Sequence, residues 1–587
     1  MCSIIGYSGS DIAAPIIVKG LKRMEYRGYD SVGVATESDN KIELKKGVGK
    51  VQQVNSTIQL DALCGKVGIG HTRWATHGNV TDVNAHPHLS NSGKIAIVHN
   101  GIIENFEELK KQLEDDGYIF KSETDSEVIV NLLQRNYEIT TNVKDTIIKT
   151  ISELKGRYSF VVMFEDGTLA AVRYREPLII GIGKNNHFLS SDVLGFIEYT
   201  DDAIYIDNEN FVIIDKNQIQ ILDFNGDTVK YEITKVSKEF ADAYKGDYAH
   251  YTLKEISEQP DTVLRAGENI KNAIKTVADH IKSSNNIYIT GSGTSYNAAL
   301  IAKQLFLKYA KIKIETIISS ELQFSSYVIE PNSTLITISQ SGESADVLDA
   351  VHIAKQKNCK IISIVNSLTS SLTRESNMII GMNCGPEIGV AATKSFTSQI
   401  IILYKILDEL TKDDFNIDFN EISHSISISL DNPEKIKQIA KKLKDTSDIY
   451  VLGRGIHYPI AMEASLKLKE LTYIHAEGIP GGELKHGPLA LMDSNVFAII
   501  INPDDSTYSD TMTSAREIKS RGAKIIGISD KRSDLYDYWI EIPKATNELT
   551  YPISETIPIQ ILSYYVALEK KTDPDYPRNL AKSVTVK

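Results

Sequence analysis

Ile287-Tyr288-Ile289-Thr290-Gly291-Ser292-Gly293-Thr294-Ser295-Tyr296 is matched farther along by Ile449-Tyr450-Val451-Leu452-Gly453-Arg454-Gly455-Ile456-His457-Tyr458, with Ile, Tyr, Gly, Gly and Tyr at identical offsets. Each stretch is an apolar run feeding a glycine-rich turn and then a helical pattern, which predicts strand, tight turn and helix. Lys360-Ile361-Ile362-Ser363-Ile364 and Lys524-Ile525-Ile526-Gly527-Ile528 recur at nearly the same separation. The C-terminal half therefore reads as two copies of one unit. Strands alternating with helices in this way predict a doubly wound parallel sheet in each copy. A dinucleotide reading of Gly291-Ser292-Gly293 is weaker, because the third glycine position holds Tyr296.

The copies differ after their next strand. In the first, Leu335-Ile336-Thr337-Ile338 runs into Ser339-Gln340-Ser341-Gly342-Glu343-Ser344, hydroxyls and backbone N–H groups at an expected helix N-terminus. That pattern suits a phosphate, and a plain capped helix is the alternative. In the second, Val496 to Ile501 runs into Asn502-Pro503-Asp504-Asp505-Ser506, where carboxylates and a proline oppose an anion. The second copy offers instead Glu463, Lys467 and Glu470, spaced four and three residues apart on one helix face, followed by Glu483-Leu484-Lys485-His486-Gly487-Pro488. A surface salt-bridge ladder has the same spacing. The chain ends Pro577-Arg578-Asn579-Leu580-Ala581-Lys582-Ser583-Val584-Thr585-Val586-Lys587, which is neither a helical pattern nor a polar fraying end. A lysine there suits an imine-forming amine, provided that desolvation or a neighbouring cation such as Arg578 disfavours its ammonium.

With 587 residues the chain is long enough for several domains. Its 64 basic and 77 acidic residues, net charge −13, give no basic face for nucleic acid or an anionic membrane. Four cysteines, at 2, 64, 359 and 384, show no metal-ligand spacing and are too few for a disulfide framework. No apolar run reaches the length of a membrane span, and the N-terminus lacks a signal-peptide pattern. A cytoplasmic protein is expected.

Cys2 follows the initiator Met, so removal of Met1 places a thiol and a free α-amine on one residue, a nucleophile with its own base. After it, Ile12, Ile16, Ile17, Leu21 and Met24 fall at helical spacing and Val32 to Thr36 reads as strand. Five histidines stand between His71 and His99, but no pair has the spacing of a helical zinc motif. Arg73 can clamp a carboxylate, and Asn100-Gly101 pairs an amide donor with a flexible backbone N–H, the parts of an oxyanion hole. Asp125 suits either an α-ammonium ligand or a helix cap. Strand patterns continue to about Ile233, and the polar run from Lys235 to Pro260 reads as a linker.

Cys2, Tyr26-Arg27-Gly28-Tyr29-Asp30-Ser31, His71-Thr72-Arg73-Trp74-Ala75-Thr76-His77-Gly78, His99-Asn100-Gly101-Ile102-Ile103-Glu104-Asn105 and Thr124-Asp125 resemble the glutaminase domain of the glucosamine-6-phosphate synthase family. Ser339 to Glu343, Glu387-Ile388-Gly389-Val390-Ala391, Leu466 to Glu470, His475-Ala476-Glu477, Gly482 to Pro488 and Pro577 to Val586 resemble its paired sugar-isomerase (SIS) domains. The resemblance implies an α/β chain: an N-terminal-nucleophile hydrolase (αββα) glutaminase domain over 2–234, the linker 235–260, doubly wound SIS domains over 261–425 and 426–575, and a catalytic tail, 576–587. It implies that Cys2 attacks the glutamine amide and that Asn100 and Gly101 hold the oxyanion. Arg73 and Asp125 bind the main-chain charges of glutamine, and Trp74, Thr76, His77 and His86 complete that site. Thr294, Ser295, Ser339, Gln340, Ser341, Ser344 and Val390 hold fructose 6-phosphate. Lys582 forms a Schiff base, Glu470 moves the proton with Lys467 assisting, and His486 from a partner subunit opens the ring. A homodimer without metal or cofactor follows from the same resemblance. Three positions depart from the family pattern: Ser3 where Gly is usual, Ser344 where Thr is common, and Ser292 where many bacterial members have Cys.

Overall fold

Gly293 and Gly455 have nearly the same backbone, with φ of 54° and 58°. Each ends a turn between a strand, Ile287–Gly291 or Asp448–Gly453, and a helix, Thr294–Leu305 or His457–Thr472. Residues with a Cβ rarely take that left-handed conformation, which is why both glycines fall at the same offset. The computed structural model describes residues 2–75, 77–215, 218–236, 245–266, 268, 271–412, 415, 417–431 and 433–584. Two compact units carry the elements, one comprising 1–244 with 583–587, the other 245–582.

In the second unit each repeat builds a five-stranded parallel sheet. The first runs in the order Glu315–Ile318, Ile287–Gly291, Thr334–Ser339, Lys360–Val365, Met378–Gly381. The second runs His475–Pro480, Asp448–Gly453, Phe497–Ile501, Lys524–Ser529, Tyr538–Glu541. Numbered along each repeat, both orders are 2-1-3-4-5, the doubly wound order whose ligand crevice opens where strands 1 and 3 part. In the first repeat those two strands end in Gly291-Ser292-Gly293-Thr294-Ser295 and Ser339-Gln340-Ser341. One apolar cluster runs through both repeats and includes the helices Lys394–Thr411 and Tyr551–Lys570, which are buried along most of their length.

His457 opens the helix His457–Thr472 with none of its surface exposed. Its Nε2 lies 2.9 Å from Asp505 and its Nδ1 2.7 Å from Glu555, on the helix Tyr551–Lys570. Burial alone would lower its pKa, but Glu555 and Asp505 more than offset that and push it up to about 10. The imidazolium thereby ties the start of one helix to the loop after a strand and to a second helix.

The first unit is built from two antiparallel sheets. Ser3–Gly9 lies inside an eight-stranded sheet beside Val67–Arg73, and Ile95–Ile103 inside a six-stranded one beside Gly156–Phe164. The strand Ile95–Ile103 alternates faces, as its period of two requires. Ile95 and Ile97 pack in a cluster with the helices Ser126–Thr140 and Val143–Glu153, whereas Ala96 and Val98 pack against Ile4 and Ile69 of the other sheet. The helix Ala13–Arg23 buries Ile16, Ile17 and Leu21 on the outer face of the eight-stranded sheet. The layers are αββα. Strand, helix and strand open the chain as the spacing predicts, at Ser3–Gly9, Ala13–Arg23 and Ser31–Ser38.

The polar run expected as a linker is partly structured. Tyr251–Ser257 and Gln259–Arg265 are helices, because Thr252, Glu255 and Gln259 are polar residues that are buried rather than solvated. Residues 237–244 of that run lie outside the described residues. Among the described residues, no helix is long and apolar enough to cross a membrane.

A histidine whose pKa is raised by folding stabilises the fold fully below its ordinary value, about 6.5, and ceases to do so as pH rises through the raised one. His457→Gln is expected to lower the urea midpoint of the second unit at neutral pH, breaking a buried pair costing about 3–5 kcal/mol. The gap to the natural protein should close as pH approaches about 10. Equal gaps at both ends of that range would show that His457 carries no charge in the fold.

Candidate active sites

Cys2 stands at the start of the strand Ser3–Gly9, whose neighbour Val67–Arg73 leads into the loop carrying Trp74. The Trp74 N–H donates to the Cys2 sulfur at 3.2 Å, and the thiol faces the Trp74 carbonyl at 3.5 Å. Burial pushes the thiol up, against the pull of the Trp74 N–H and the Arg73 guanidinium. The Cys2 carbonyl accepts from Asn100 Nδ2 at 3.2 Å and from Arg27 Nε at 3.4 Å. Arg27 is itself fixed by Asp192 at 3.2 Å, and Tyr26 donates to the same carboxylate at 2.7 Å.

Asn100 is oriented from behind. His71 Nε2 lies 3.0 Å from the His99 carbonyl and 3.2 Å from Asn100 Oδ1, two acceptors that require the proton on Nε2. That assignment turns the Asn100 amide N–H₂ toward Cys2, the end an oxyanion hole needs. Burial drives the His71 pKa down to about 3, so the ring is neutral and holds this tautomer. Its neighbour Gly101 has φ of 112°, and a Cβ there would stand 2.0 Å from the Arg157 carbonyl. No other residue fits.

Arg73 is buried, and its guanidinium donates to the carbonyls of Asn79 at 3.1 Å, Gly78 at 3.2 Å and His77. Cys2, Asp30, Asp125 and Glu123 act on it electrostatically, against its burial. Asp125 does not cap the helix Ser126–Thr140 with its side chain; one carboxylate oxygen accepts from Ile103 N at 2.8 Å. The alternatives at Asp125 thus narrow to a buried carboxylate bound to the strand that carries Asn100. His77 packs against Phe106, with ring centroids 5.5 Å apart. His86 stacks on His71 at 4.1 Å and accepts from His99 N at 3.3 Å, so it braces the layer behind Asn100. Thr76 lies outside the described residues. Among the described residues, no group of three His, Cys, Asp or Glu is arranged to hold a metal ion.

The residue after the cysteine answers the question its Cβ raises. Ser3 is fully buried and its hydroxyl donates to the Met24 carbonyl at 2.7 Å. The side chain points into the packing beneath the helix Ala13–Arg23.

In the second unit, chemistry collects where strands 1 and 3 of the first repeat part. Thr294 opens the helix after strand 1, and its hydroxyl donates to Glu463 at 3.0 Å. Asn297 donates to the other Glu463 oxygen at 2.8 Å. Lys467 lies 3.2 Å from Thr294 Oγ1, 3.3 Å from Glu463 and 2.6 Å from Glu470. Lys467 is fully buried, so the spacing is not a surface ladder. Burial would lower its pKa, but Glu463 and Glu470 hold it above the ordinary lysine range. Glu470 keeps about a fifth of its side chain exposed and is the member of the set open to solvent.

After strand 3, Ser339 Oγ accepts from Gly342 N at 3.0 Å and Ser341 Oγ from Glu343 N at 3.2 Å. These bonds shape the loop, and Ser344, at the N-cap of Ala345–Gln356, uses no side-chain oxygen as a cap. Ser295 accepts from Gln399 at 3.2 Å, and Gln340 is half-buried with its carbonyl bound by Asn366 N. In the second repeat the equivalent place is filled from within: Asp505 accepts from Thr507 N and Oγ1, both at 2.8 Å, and faces His457, the counterpart of Ser295.

Lys582 on the tail donates to Glu387 at 2.6 Å and to the Gly389 carbonyl at 2.8 Å. Of the two ways of disfavouring its ammonium, desolvation or a cation such as Arg578, the contacts supply no Arg578 neighbour: Lys582 meets a buried carboxylate, and the Arg578 guanidinium lies over the Tyr473 ring at 4.3 Å. Val390 is buried and its N–H donates to the Asp575 carbonyl. His486 stands exposed on the turn Gly481–His486. Sequence reasoning assigned no role to Glu387, His71, Arg27 or the His457 set, although Glu387, His71, Arg27 and His457 each stand within a quoted stretch.

Known proteins share this construction. The glutamine amidotransferase domain family matches residues 71–197, and the SIS domain family matches 280–407 and 442–570. The chain is 44% identical to a Pyrococcus horikoshii protein and 39% identical to one from Bacteroides thetaiotaomicron, over the full length of both partners in each case. Both carry the name glutamine–fructose-6-phosphate aminotransferase [isomerizing]. Among solved structures, the C-terminal domain of glucosamine-fructose-6-phosphate aminotransferase from Francisella tularensis aligns with a TM-score of 0.52 at 36% identity, covering 57% of this chain and 100% of that one.

Ser3→Gly is expected to lower stability by about 1–2 kcal/mol, one buried hydrogen bond plus the flexibility of glycine. Alkylation of Cys2 by iodoacetamide should stay within about twofold of the natural rate, since the hydroxyl points away from the thiol. A severalfold acceleration would show that Ser3 crowds it.

Proposed function

The chain belongs to the isomerizing glutamine–fructose-6-phosphate aminotransferase family, and from that premise we propose that its two units carry the two halves of one reaction. It hydrolyses glutamine and transfers the ammonia to fructose 6-phosphate with isomerisation, giving glucosamine 6-phosphate and glutamate. The observation that carries the division is the location of the residues. Cys2, Arg73, Asn100 and Asp125 belong to the first unit, and Thr294, Ser339, Lys467, Glu470 and Lys582 to the second.

In the first unit, removal of Met1 frees the α-amine as base for Cys2, whose sulfur attacks the side-chain amide carbon of glutamine. Asn100 Nδ2 and the Gly101 N–H receive the oxyanion, ammonia leaves, and water cleaves the thioester to glutamate. Arg73 takes the substrate carboxylate and Asp125 its ammonium, with Trp74, Thr76, His77 and His86 around them. This reading is supported by the tautomer of His71, which presents the donor end of Asn100, and by the electrostatic reach of Asp125 to Arg73.

In the second unit, Ser339, Gln340, Ser341 and Ser344, with Thr294 and Ser295, hold the sugar phosphate at the crevice between strands 1 and 3, and Val390 contacts the sugar. Lys582 forms an imine at C2, and Glu470 carries the proton between C1 and C2 with Lys467 holding its carboxylate in place. We read the protein as a cytoplasmic homodimer in which His486 of the partner subunit opens the sugar ring; the exposure of His486 supports a group offered outward. On this reading the glutaminase domain runs to 234, the SIS domains begin at 261 and 426, and the tail begins at 576.

Cys2→Ala should abolish glutamate release and amino-sugar synthesis while leaving slow conversion of fructose 6-phosphate to glucose 6-phosphate, measured by coupled assays. Retained glutamine hydrolysis would reveal another nucleophile. Ser341→Ala should raise the sugar KM about two- to tenfold, the worth of one hydrogen bond, and Ser506→Ala should leave it unchanged. Equal losses would mean that the second repeat also binds phosphate.

A further inference from the structure

The tail that carries Lys582 has no helix or strand over residues 577–584, so polar contacts have to fix it. Asp575 accepts from Tyr251 N at 2.9 Å and Thr252 N at 2.8 Å, at the start of Tyr251–Ser257. Arg578 N donates to the Tyr473 hydroxyl at 2.7 Å. Nearer the end of the chain stands the pair Lys582–Glu387, whose side chains are 4% and 0% exposed.

Glu387 is held rigidly on its other side. Its Oε1 accepts from Thr393 N at 2.9 Å and Ser395 N at 3.0 Å, and its Oε2 from Ser395 Oγ at 2.7 Å. Those donors open the 18-residue helix Lys394–Thr411, whose N-terminal end favours an anion. Burial would raise the carboxyl pKa, but Lys582 and these donors more than offset it and bring it to about 2. A second carboxyl acts on Lys582: Glu255, fully buried, accepts from Ile388 N and Gly389 N. Burial pushes Glu255 up to about 8, so it stays a neutral acid while Glu387 is ionised. The amine thus faces one charge of opposite sign.

We infer that Glu387 is the positioning residue of Lys582: its fixed carboxylate docks the tail by the Lys582 ammonium and remains the counter-ion when that nitrogen becomes an imine. The docking stands on the geometry alone; the chemical half rests on the imine reading given above. In that step the N–C2 bond forms and the C2–O bond breaks. Two of the three ammonium hydrogens leave with the oxygen as water, and the third stays on the iminium. The positive charge is conserved, so a fixed anion serves both ends of the step. The substrate has to draw the nitrogen off a carboxylate that accepts a proton poorly, which keeps the amine unreactive until a sugar is bound.

The test acylates the full-length protein with acetic anhydride without sugar and follows the peptide containing Lys582 by mass spectrometry. Glu387→Gln should label Lys582 at least tenfold faster than the natural protein, and Glu387→Asp, which keeps the charge but shortens its reach, to an intermediate degree. Glu255→Gln should stay within about twofold. With fructose 6-phosphate, Glu387→Gln should lose at least tenfold in kcat for isomerisation with the sugar KM within about twofold. Equal labelling of Lys582 in the natural protein and in both Glu387 variants would overturn the inference; if the Gln variant fails to fold, the Asp variant decides alone. Borohydride added with fructose 6-phosphate separates the two readings. Faster labelling in Glu387→Gln, with no reduced sugar adduct on Lys582 of the natural protein, would overturn the imine and leave the docking intact.

Discussion

A lysine ammonium with no exposed surface is tolerable only if carboxylates compensate its lost hydration, and Lys467 has two, Glu463 and Glu470. The compensation is shared between the repeats. Thr294 and Asn297 of the first repeat donate to Glu463 of the second, so the charge that the second repeat buries is neutralised in a network the first completes. Removing a partner from such a network leaves an unpaired buried charge, worth about 3–5 kcal/mol. That constraint brings the helix Thr294–Leu305 against His457–Thr472 and sets Lys467 and Glu470 beside Thr294 at the edge of the first repeat's crevice.

Two copies of one fold then diverge by the origin of the anion. The first copy leaves hydroxyls and N–H groups at the end of its third strand, a place where a helix N-terminus and a parallel-sheet crevice favour a phosphate from solution. The second supplies its own carboxylate, Asp505, and answers it with His457 in place of Ser295. On the proposed function one crevice binds the sugar phosphate, while the other is filled by a structural joint, although the strand order is identical. The joint fixes the start of the helix whose later turns carry Glu463, Lys467 and Glu470.

What the sequence reveals depends on whether a feature is local. The repeat was legible because a strand, a left-handed glycine turn and a helix lie within ten residues, and Gly293 and Gly455 mark the same backbone state twice. Cys2, Asn100-Gly101 and the Ser339 loop were legible for the same reason. The orientation of Asn100 was not, since it is imposed by a neutral His71 from another strand. Residues 251–260 read as part of a linker because their polar residues are satisfied by partners far along the chain, as Thr252 is by Asp575. Ser3 looked like a crowding Cβ because the Met24 carbonyl that receives it lies at the far end of the next helix.

Both sites keep a reactive group in check with a buried neighbour whose protonation state is fixed by burial and hydrogen bonds. His71, driven neutral, can only donate from Nε2, and so holds an amide donor toward the nucleophile. Glu387, ionised because the Lys582 amine and the helix start behind it outweigh its burial, can only accept, and so fixes the place of the Lys582 nitrogen. Neither neighbour need touch a substrate for this. In water an imidazole would titrate near neutrality and be fixed in neither state. Burial itself keeps His71 neutral, whereas at Glu387 the amine and the hydrogen-bond donors prevail against burial. On the proposed imine chemistry, a carboxylate with no freedom to move would keep the Lys582 nitrogen in one place until a sugar is bound.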